Sequence, residues 1–293
     1  MLEPAKRAAY FYMNTALLTY KNPSMPAKPK KTTIILSIAG FDPSSGAGIT
    51  ADIKTIAAHG CYGLSCITAL TVQSTQGVKQ VKPVEGKLII ATLKELASDF
   101  SINAVKIGML GSAETVQAVV AFLKRHSLRN VVLDPVLKSS SGTDLLSDEG
   151  LKFLRNGLLP LADVITPNID EASAMTGMAI HQACDMGAVA LQLHRIRAKN
   201  VVITGGHLDP PVDFLSWNSG KQHKIFTHKK ITTNSTHGTG CAFSTALACN
   251  LANGKSLVEA VHQAKQYVTS ALQHAVPIGK GTGPVNHMWK NSY

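Results

Sequence analysis

The sequence predicts an α/β fold: an open, mostly parallel sheet with helices on both faces, three layers in all. Three observations carry that expectation. From Thr32 onward, short runs rich in Ile and Val alternate with longer helical stretches, a βαβ pattern that connection handedness turns into a parallel sheet covered on both sides. Hydrophobic residues make up 45% of the chain and aromatics only 5%, so small aliphatic side chains dominate, as suits strands buried on both faces. A length of 293 residues is enough for one large core without division into two domains.

Ile34-Ile35-Leu36-Ser37-Ile38 reads as a buried strand, followed by a polar, glycine-rich loop from Gly40 to Gly48 and a helix beginning near Ile49. Cys66–Val72, Ala104–Ile107, Asn130–Leu133, Val164–Thr166 and Asn200–Thr204 read as further strands. Helical patterns fall between them at 87–98, 113–126, 148–158, 169–176 and 182–197. Asp213–Trp217 and His223–Phe226 flank the turn-forming triplet Asn218-Ser219-Gly220, which predicts an antiparallel hairpin at one edge. Two helices, 240–252 and 256–274, complete the layers. With no internal repeat and no linker beyond residue 31, residues 32–293 form one domain and 1–31 a flexible extension. A chain starting at Met25 is expected to fold and act without it.

The net charge of +11 invites a nucleic-acid reading. Residues 1–31, however, carry six basic side chains against Glu3 and so supply +5 of the total. No Arg/Lys stripe interleaved with aromatics supports a nucleic-acid groove. Five cysteines (Cys61, Cys66, Cys184, Cys241 and Cys249) lie apart without C-x-x-C pairs, which argues against a zinc site or a disulfide framework and fits a reducing cytoplasm. No apolar run reaches the roughly 18 residues a bilayer span needs, and no secretory signal is legible.

Ligands of open α/β sheets bind beyond the C-terminal ends of the strands. Gly40–Gly48, Gln73, Gly108-Met109, Asp134, Asn168 and Gly205-Gly206 each follow a predicted strand, so one mouth collects them. The sharpest signal is Thr236-His237-Gly238-Thr239-Gly240-Cys241, a glycine turn leading into an Ala-rich helix. Gly238 and Gly240 let the backbone approach an anion closely, and the first-turn N–H groups with the helix dipole favour phosphate there. Cys241 at its rim is expected to have a lowered pKa and to accept a proton. Asn168 and Glu171, three apart at a helix start, fit either a helix cap or the water shell of Mg²⁺. Asp52 is read as facing the mouth to accept hydrogen bonds, or as offsetting a helix dipole. The Gln73 amide fits either the donor and acceptor edge of a heterocycle or a strand end. Met109 fits core or ligand wall, Asp134 a metal or phosphate support or a turn, and Lys265 a solvated charge.

Together these stretches resemble a family. Gly40 to Thr55, Thr68-Ala69-Leu70-Thr71-Val72-Gln73, Lys106-Ile107-Gly108-Met109-Leu110, Asp134-Pro135-Val136, Thr166-Pro167-Asn168 with Glu171-Ala172, His237 to Cys241, and the tail Ala275 to His287 look like hydroxymethylpyrimidine/phosphomethylpyrimidine kinases of thiamin biosynthesis, in the ribokinase-like superfamily. The resemblance covers Thr32 to His287 and keeps the family's order. It implies two successive ATP- and Mg²⁺-dependent phosphorylations of 4-amino-5-hydroxymethyl-2-methylpyrimidine. Carried over, Gly40, Asp52, Gln73 and Met109 would line the pyrimidine pocket, and Gly238, Thr239 and Gly240 would form the anion hole. Cys241 would be the catalytic base, and Thr204, Gly206, Lys265 and Asp134 would face the nucleotide. Thr204 stands where the family commonly has Lys, and Lys138 or Lys265 would have to compensate. The polar, glycine-hinged loop from Lys138 to Gly142 suits a flap. The rivals are a pyridoxal or pyridoxine kinase and a non-catalytic pyrimidine-phosphate binder. Oligomeric state is not legible, a homodimer being one of the assemblies left open.

Overall fold

The computed structural model describes residues 32–139 and 141–291; the expected extension, 1–31, lies outside the described residues. One nine-stranded sheet organises everything. Its strands are β1 Ile34–Phe41, β2 Tyr62–Ser74, β3 Gly77–Pro83, β4 Ala104–Ile107, β5 Val131–Leu133, β6 Val164–Ile165, β7 Val201–Gly205, β8 Val212–Trp217 and β9 Gln222–Thr227. They lie in the order β3-β2-β1-β4-β5-β6-β7-β8-β9. β2 through β7 in that row pair parallel, while β3, β8 and β9 join antiparallel. The chain builds outward from β1 in one direction, then returns to place β4 on its other side. That reversal opens a crevice at the C-terminal ends of β1 and β4, the place where such sheets bind ligands.

The helices are α1 Gly48–Ala58, α2 Gly86–Asp99, α3 Ala113–Arg125, α4 Asp148–Phe153, α5 Ile169–Thr176, α6 Asp185–Arg195, α7 Thr239–Ala252 and α8 Leu257–Gln273. Strand side chains alternate between two cores. Leu36, Ile38, Val105, Ile107, Val131 and Leu133 face α2, α3, α5 and α6, whereas Ile35, Ala104, Val132, Val164 and Val202 face α1, α7 and α8. α7 is almost wholly buried from Ala242 to Asn250, and its many alanines let it lie close against the sheet.

Three expectations are revised. β2 begins four residues earlier than the apolar run implied and is followed by β3, whose Lys79, Gln80 and Lys82 are exposed. An edge strand can be polar, so no hydrophobic pattern announces it. The helix expected over 148–158 is α-helical only to Phe153, then widens into a π turn over Leu154–Leu158 and a 3₁₀ turn at Leu159–Leu161, where Pro160 removes a donor. The helix expected over 182–197 is confined to Asp185–Arg195.

Candidate active site

Along the face covered by α7, strand positions change from apolar to polar as the strands reach their C-terminal ends. Ser37 follows Ile35, Lys106 follows Ala104, Asp134 follows Val132, Thr166 follows Val164 and Thr204 follows Val202. Alternation of side chains therefore puts a polar row on one face at the mouth. Ser37 and Lys106 are direct neighbours in the β1–β4 register.

Asp52 of α1 lies beneath this row. It is fully buried, and the Lys106 ammonium donates to its two oxygens at 3.0 and 2.9 Å. The Ser37 hydroxyl donates at 2.5 Å and that of Thr245 at 2.7 Å. Asp52 is thus a saturated anion under the floor, which corrects its expected place among groups open to a pyrimidine. Burial alone would lower the Lys106 ammonium, but Asp52 outweighs it and the amine stands above its ordinary range. Lys106 opens one of the motifs that carry the resemblance but was assigned no role from sequence. Its signal was a cation in the middle of the apolar strand Ala-Val-Lys-Ile, which demands a buried partner.

Above the floor, Gly40 lies against Met109. A Cβ on Gly40 would come within 2.8 Å of the Met109 sulfur. The loop after β1 also interlocks with the turn before α7. Gly238 caps α7 in a left-handed conformation, φ 84°, and a Cβ there would strike the carbonyl of Gly46. Asp42 bridges the two. Its carboxylate accepts from the Ser44 N–H and hydroxyl at 2.8 and 2.7 Å, from the Ala47 N–H at 2.9 Å, and from His237 Nε2 at 2.8 Å. Burial would raise this carboxyl, but the bonds from His237, Ser44 and Ala47 outweigh it and hold it below the usual range. The Gln73 amide lies 3.3 Å from the same His237 nitrogen. Neither Asp42 nor His237 was assigned a role from sequence, though Asp-Pro-Ser after a strand is an Asx-turn signal.

Gln73 and His237 border a small cleft of about 60 Å³, with Thr75, Ser141 of the expected flap and Thr282 of the tail around it. The tail ties both walls together. Thr282 N–H donates to Thr75 carbonyl at 2.9 Å, His237 N–H to Gly283 carbonyl at 2.9 Å, and Val285 N–H to His237 carbonyl at 3.1 Å.

At the turn expected to form the anion hole, the Thr239 N–H and hydroxyl both donate to the Thr236 carbonyl, at 3.2 and 2.6 Å. Thr239 tightens the turn and does not offer these groups to a ligand, a correction to its expected part. The next N–H groups, of Gly240 and Cys241, lie in the helix's first turn, where no carbonyl of the helix reaches them. Cys241 is partly exposed, and its thiol takes the Gly48 N–H. The expected lowering is reversed: burial pushes the thiol up to about 12, with Asp52 and Asp134 adding to the rise against Lys106. Helix-dipole stabilisation of thiolate loses here chiefly to desolvation, with the two carboxylates secondary.

Asp134 is buried, and its Oδ2 accepts from the Ser244 hydroxyl at 3.1 Å and faces Gly240. Burial raises its carboxyl. Burial likewise pushes Glu171 up to about 8, and Asp134 adds to that rise. Asn168 and Glu171 form a full capping box, with Asn168 N–H donating to Glu171 Oε2 and Glu171 N–H to Asn168 Oδ1, each at 2.9 Å. The cap reading of this pair is realised, and the Asn168 oxygen is engaged in it. Among the described residues no three His, Cys, Asp or Glu side chains converge as a metal cluster.

Thr204 donates its N–H to Pro167 carbonyl at 2.9 Å and sits beside Asn168. Gly206 is exposed, with open space where a Cβ would lie. Lys265 is not a solvated charge. It pairs with buried Asp213, whose Oδ1 accepts the Gly205 N–H at 3.1 Å and which lies opposite Thr204 in the β7–β8 register. A cation therefore stands next to the Thr204 loop, carried by another element. Lys138 instead forms an exposed pair with Asp144 at 3.4 Å. Lys265 also borders an open groove of about 1090 Å³ that extends to Phe226, His228 and Trp289.

Comparison with known proteins defines first the class. An ADP complex of Bacillus subtilis pyridoxal kinase is 34% identical and matches with a TM-score of 0.81 over 89% of this chain and 99% of that one. A phosphomethylpyrimidine kinase from Clostridium difficile is 40% identical, with a TM-score of 0.73, covering 82% of this chain and all of that one. The fold is that of the ribokinase-like kinases. Within that class, the phosphomethylpyrimidine kinase family model matches residues 42–286, and the chain belongs to this family. The hydroxymethylpyrimidine/phosphomethylpyrimidine kinase of Haemophilus influenzae is 43% identical over 86% of this chain and 96% of its own length. The thiamine biosynthesis bifunctional protein ThiED of Geobacter sulfurreducens is 40% identical over 94% of this chain, which spans only 58% of that longer protein. No helix among the described residues is long and apolar enough to cross a membrane.

Proposed function

We propose that this chain transfers the terminal phosphoryl group of ATP to the hydroxymethyl group of 4-amino-5-hydroxymethyl-2-methylpyrimidine, and then phosphorylates the monophosphate to the diphosphate, for thiamin synthesis in the cytoplasm. The observation that carries the reading is one mouth in which a heterocycle-reading amide, Gln73, and the open first turn of α7 flank the same His237. Family membership supports it.

The residues divide the work. Gly40 and Met109 give an apolar wall, and Gln73 offers hydrogen bonds to the ring. The Gly240 and Cys241 N–H groups stabilise charge on the moving phosphoryl group, and Lys265 adds a cation on the Thr204 side. Asp134 and Glu171 are two buried carboxyls, each raised by burial and Glu171 further by Asp134, a donor set that fits a divalent cation. Mg²⁺ would be held by Glu171 and Asp134, directly or through water, and would neutralise phosphate charge when bound. Asn168 would orient Glu171 through the cap. With little covalent chemistry required, positioning and electrostatics account for most of the rate.

Gln73→Leu tests the assignment. It keeps size but removes the amide, so the pyrimidine KM is expected to rise by about 10- to 100-fold, equivalent to about 1–3 kcal/mol, with the KM for ATP unchanged. An unaltered pyrimidine KM would remove Gln73 from substrate reading.

A further inference from the structure

Hydrogen counting around His237 determines which end of the Gln73 amide faces it. Nε2 of His237 lies 2.8 Å from Asp42 Oδ2, and a carboxylate only accepts, so Nε2 carries a hydrogen and gives it to Asp42. An amide nitrogen of Gln73 at 3.3 Å from this same Nε2 would set donor against donor. A second conflict lies at the other end of the amide. Thr71 Oγ1 is 2.9 Å from the Phe41 carbonyl and 3.2 Å from the other end of the Gln73 amide. The single hydroxyl hydrogen goes to the carbonyl, which leaves Thr71 able only to accept from Gln73. Both conflicts disappear if the amide is rotated half a turn, its oxygen toward His237 and its NH₂ toward Thr71. The two ends of a carboxamide are nearly equal in size, so only the hydrogen bonds select between them.

We propose that Asp42 and His237 are positioning residues that hold the Gln73 carboxamide with its oxygen toward the anion-hole turn and its nitrogen toward Thr71. One amide N–H then donates to Thr71, leaving one N–H and one carbonyl lone pair for a ligand in a fixed order. An aminopyrimidine edge matches that order when its amino group lies on the His237 side and its ring nitrogen on the Thr71 side. Because Gly238–Gly240 follow His237 directly, a hydroxymethyl group on the ring carbon next to the amino-bearing one is carried toward the helix terminus. The Asp42–His237 pair would thus set the direction in which the substrate enters. This substrate half rests on the pyrimidine-kinase reading; the orientation of the amide does not.

The test uses the unmodified full chain, ¹⁵N-labelled, with the Gln73 side-chain amide signal identified by its absence in Gln73→Leu. The amide hydrogens are expected to show their strongest cross-relaxation to Thr71; strongest cross-relaxation to the His237 ring overturns the proposal. Kinetics then follow the consequence. The wild type is expected to favour the 4-amino substrate over its 4-deamino analogue by about 10- to 100-fold in kcat/KM. His237→Phe should lose most of that preference through KM. An equal loss on both substrates with the preference intact would show His237 to be merely structural and overturn the positioning role. If the wild type phosphorylates neither compound, the function reading fails while the cross-relaxation still decides the orientation.

Discussion

Cys241, which the family resemblance would make the proton acceptor, lies in surroundings that withhold the thiolate. Below a thiol pKa of about 12, the thiolate fraction rises tenfold per pH unit, so a reaction that needs it should accelerate with unit slope from neutral pH upward and show no plateau before the protein unfolds. Cys241→Asp, an intrinsically stronger acid by several pKa units, should move that rise to lower pH, while Cys241→Ala should lower kcat by roughly 10²–10⁴-fold. A flat wild-type profile together with near-normal turnover in the Ala variant would remove Cys241 from proton transfer. Lys106 gives a second test at this scale. Lys106→Met leaves Asp52 buried without its cation and is expected to cost about 3–5 kcal/mol in urea unfolding. Adding Asp52→Asn, which keeps bonds to Ser37 and Thr245, should recover more than half. A single-variant loss under about 1 kcal/mol would show that the ion pair does not hold the floor. Individual residues were the least legible part of the sequence. Asp52 was visible as an acid near a mouth, but whether it faces up or down depends on Lys106 from β4 and Thr245 from α7, contacts between elements distant in sequence.

At the scale of elements, the glycine turn before α7 was legible because its chemistry is local: glycine, a left-handed cap and a run of helix formers. What the turn does with its donors was not, since Thr239 is drawn back onto Thr236 by hydrogen bonds that propensity does not encode. The interlock of this turn with the loop after β1 gives a direct comparison between two glycines of similar backbone. Gly238 at φ 84° meets the Gly46 carbonyl, whereas Gly254 at φ 81° faces open space. Gly254→Ala is therefore expected to cost about 1 kcal/mol, the left-handed penalty alone, with kcat unchanged. Gly238→Ala should destabilise further and reduce turnover by at least tenfold, because the loop must move away from the helix terminus. Thermal melts with steady-state rates check both, and equal effects would refute the interlock. β3 was missed for the complementary reason, since an edge strand held by backbone bonds carries no apolar signature.

For the whole molecule, the sheet was readable because parallel strands buried on both faces must be apolar nearly throughout, and the helices between them keep their own period. The crevice between β1 and β4 then follows from topology. Which residues complete it does not, because Lys265 reaches the Thr204 loop from α8 and the tail from Val276 to Val285 clasps Thr75 and His237 across the mouth. The proposed reaction of this mouth is phosphorylation of a hydroxymethylpyrimidine. ADP release measured on the full chain with 4-amino-5-hydroxymethyl-2-methylpyrimidine, its monophosphate and pyridoxal tests it most directly. ATP turnover is expected with both pyrimidines at kcat/KM values above that for pyridoxal; turnover with pyridoxal alone, or pyrimidine binding without any ADP release, would overturn the proposed function.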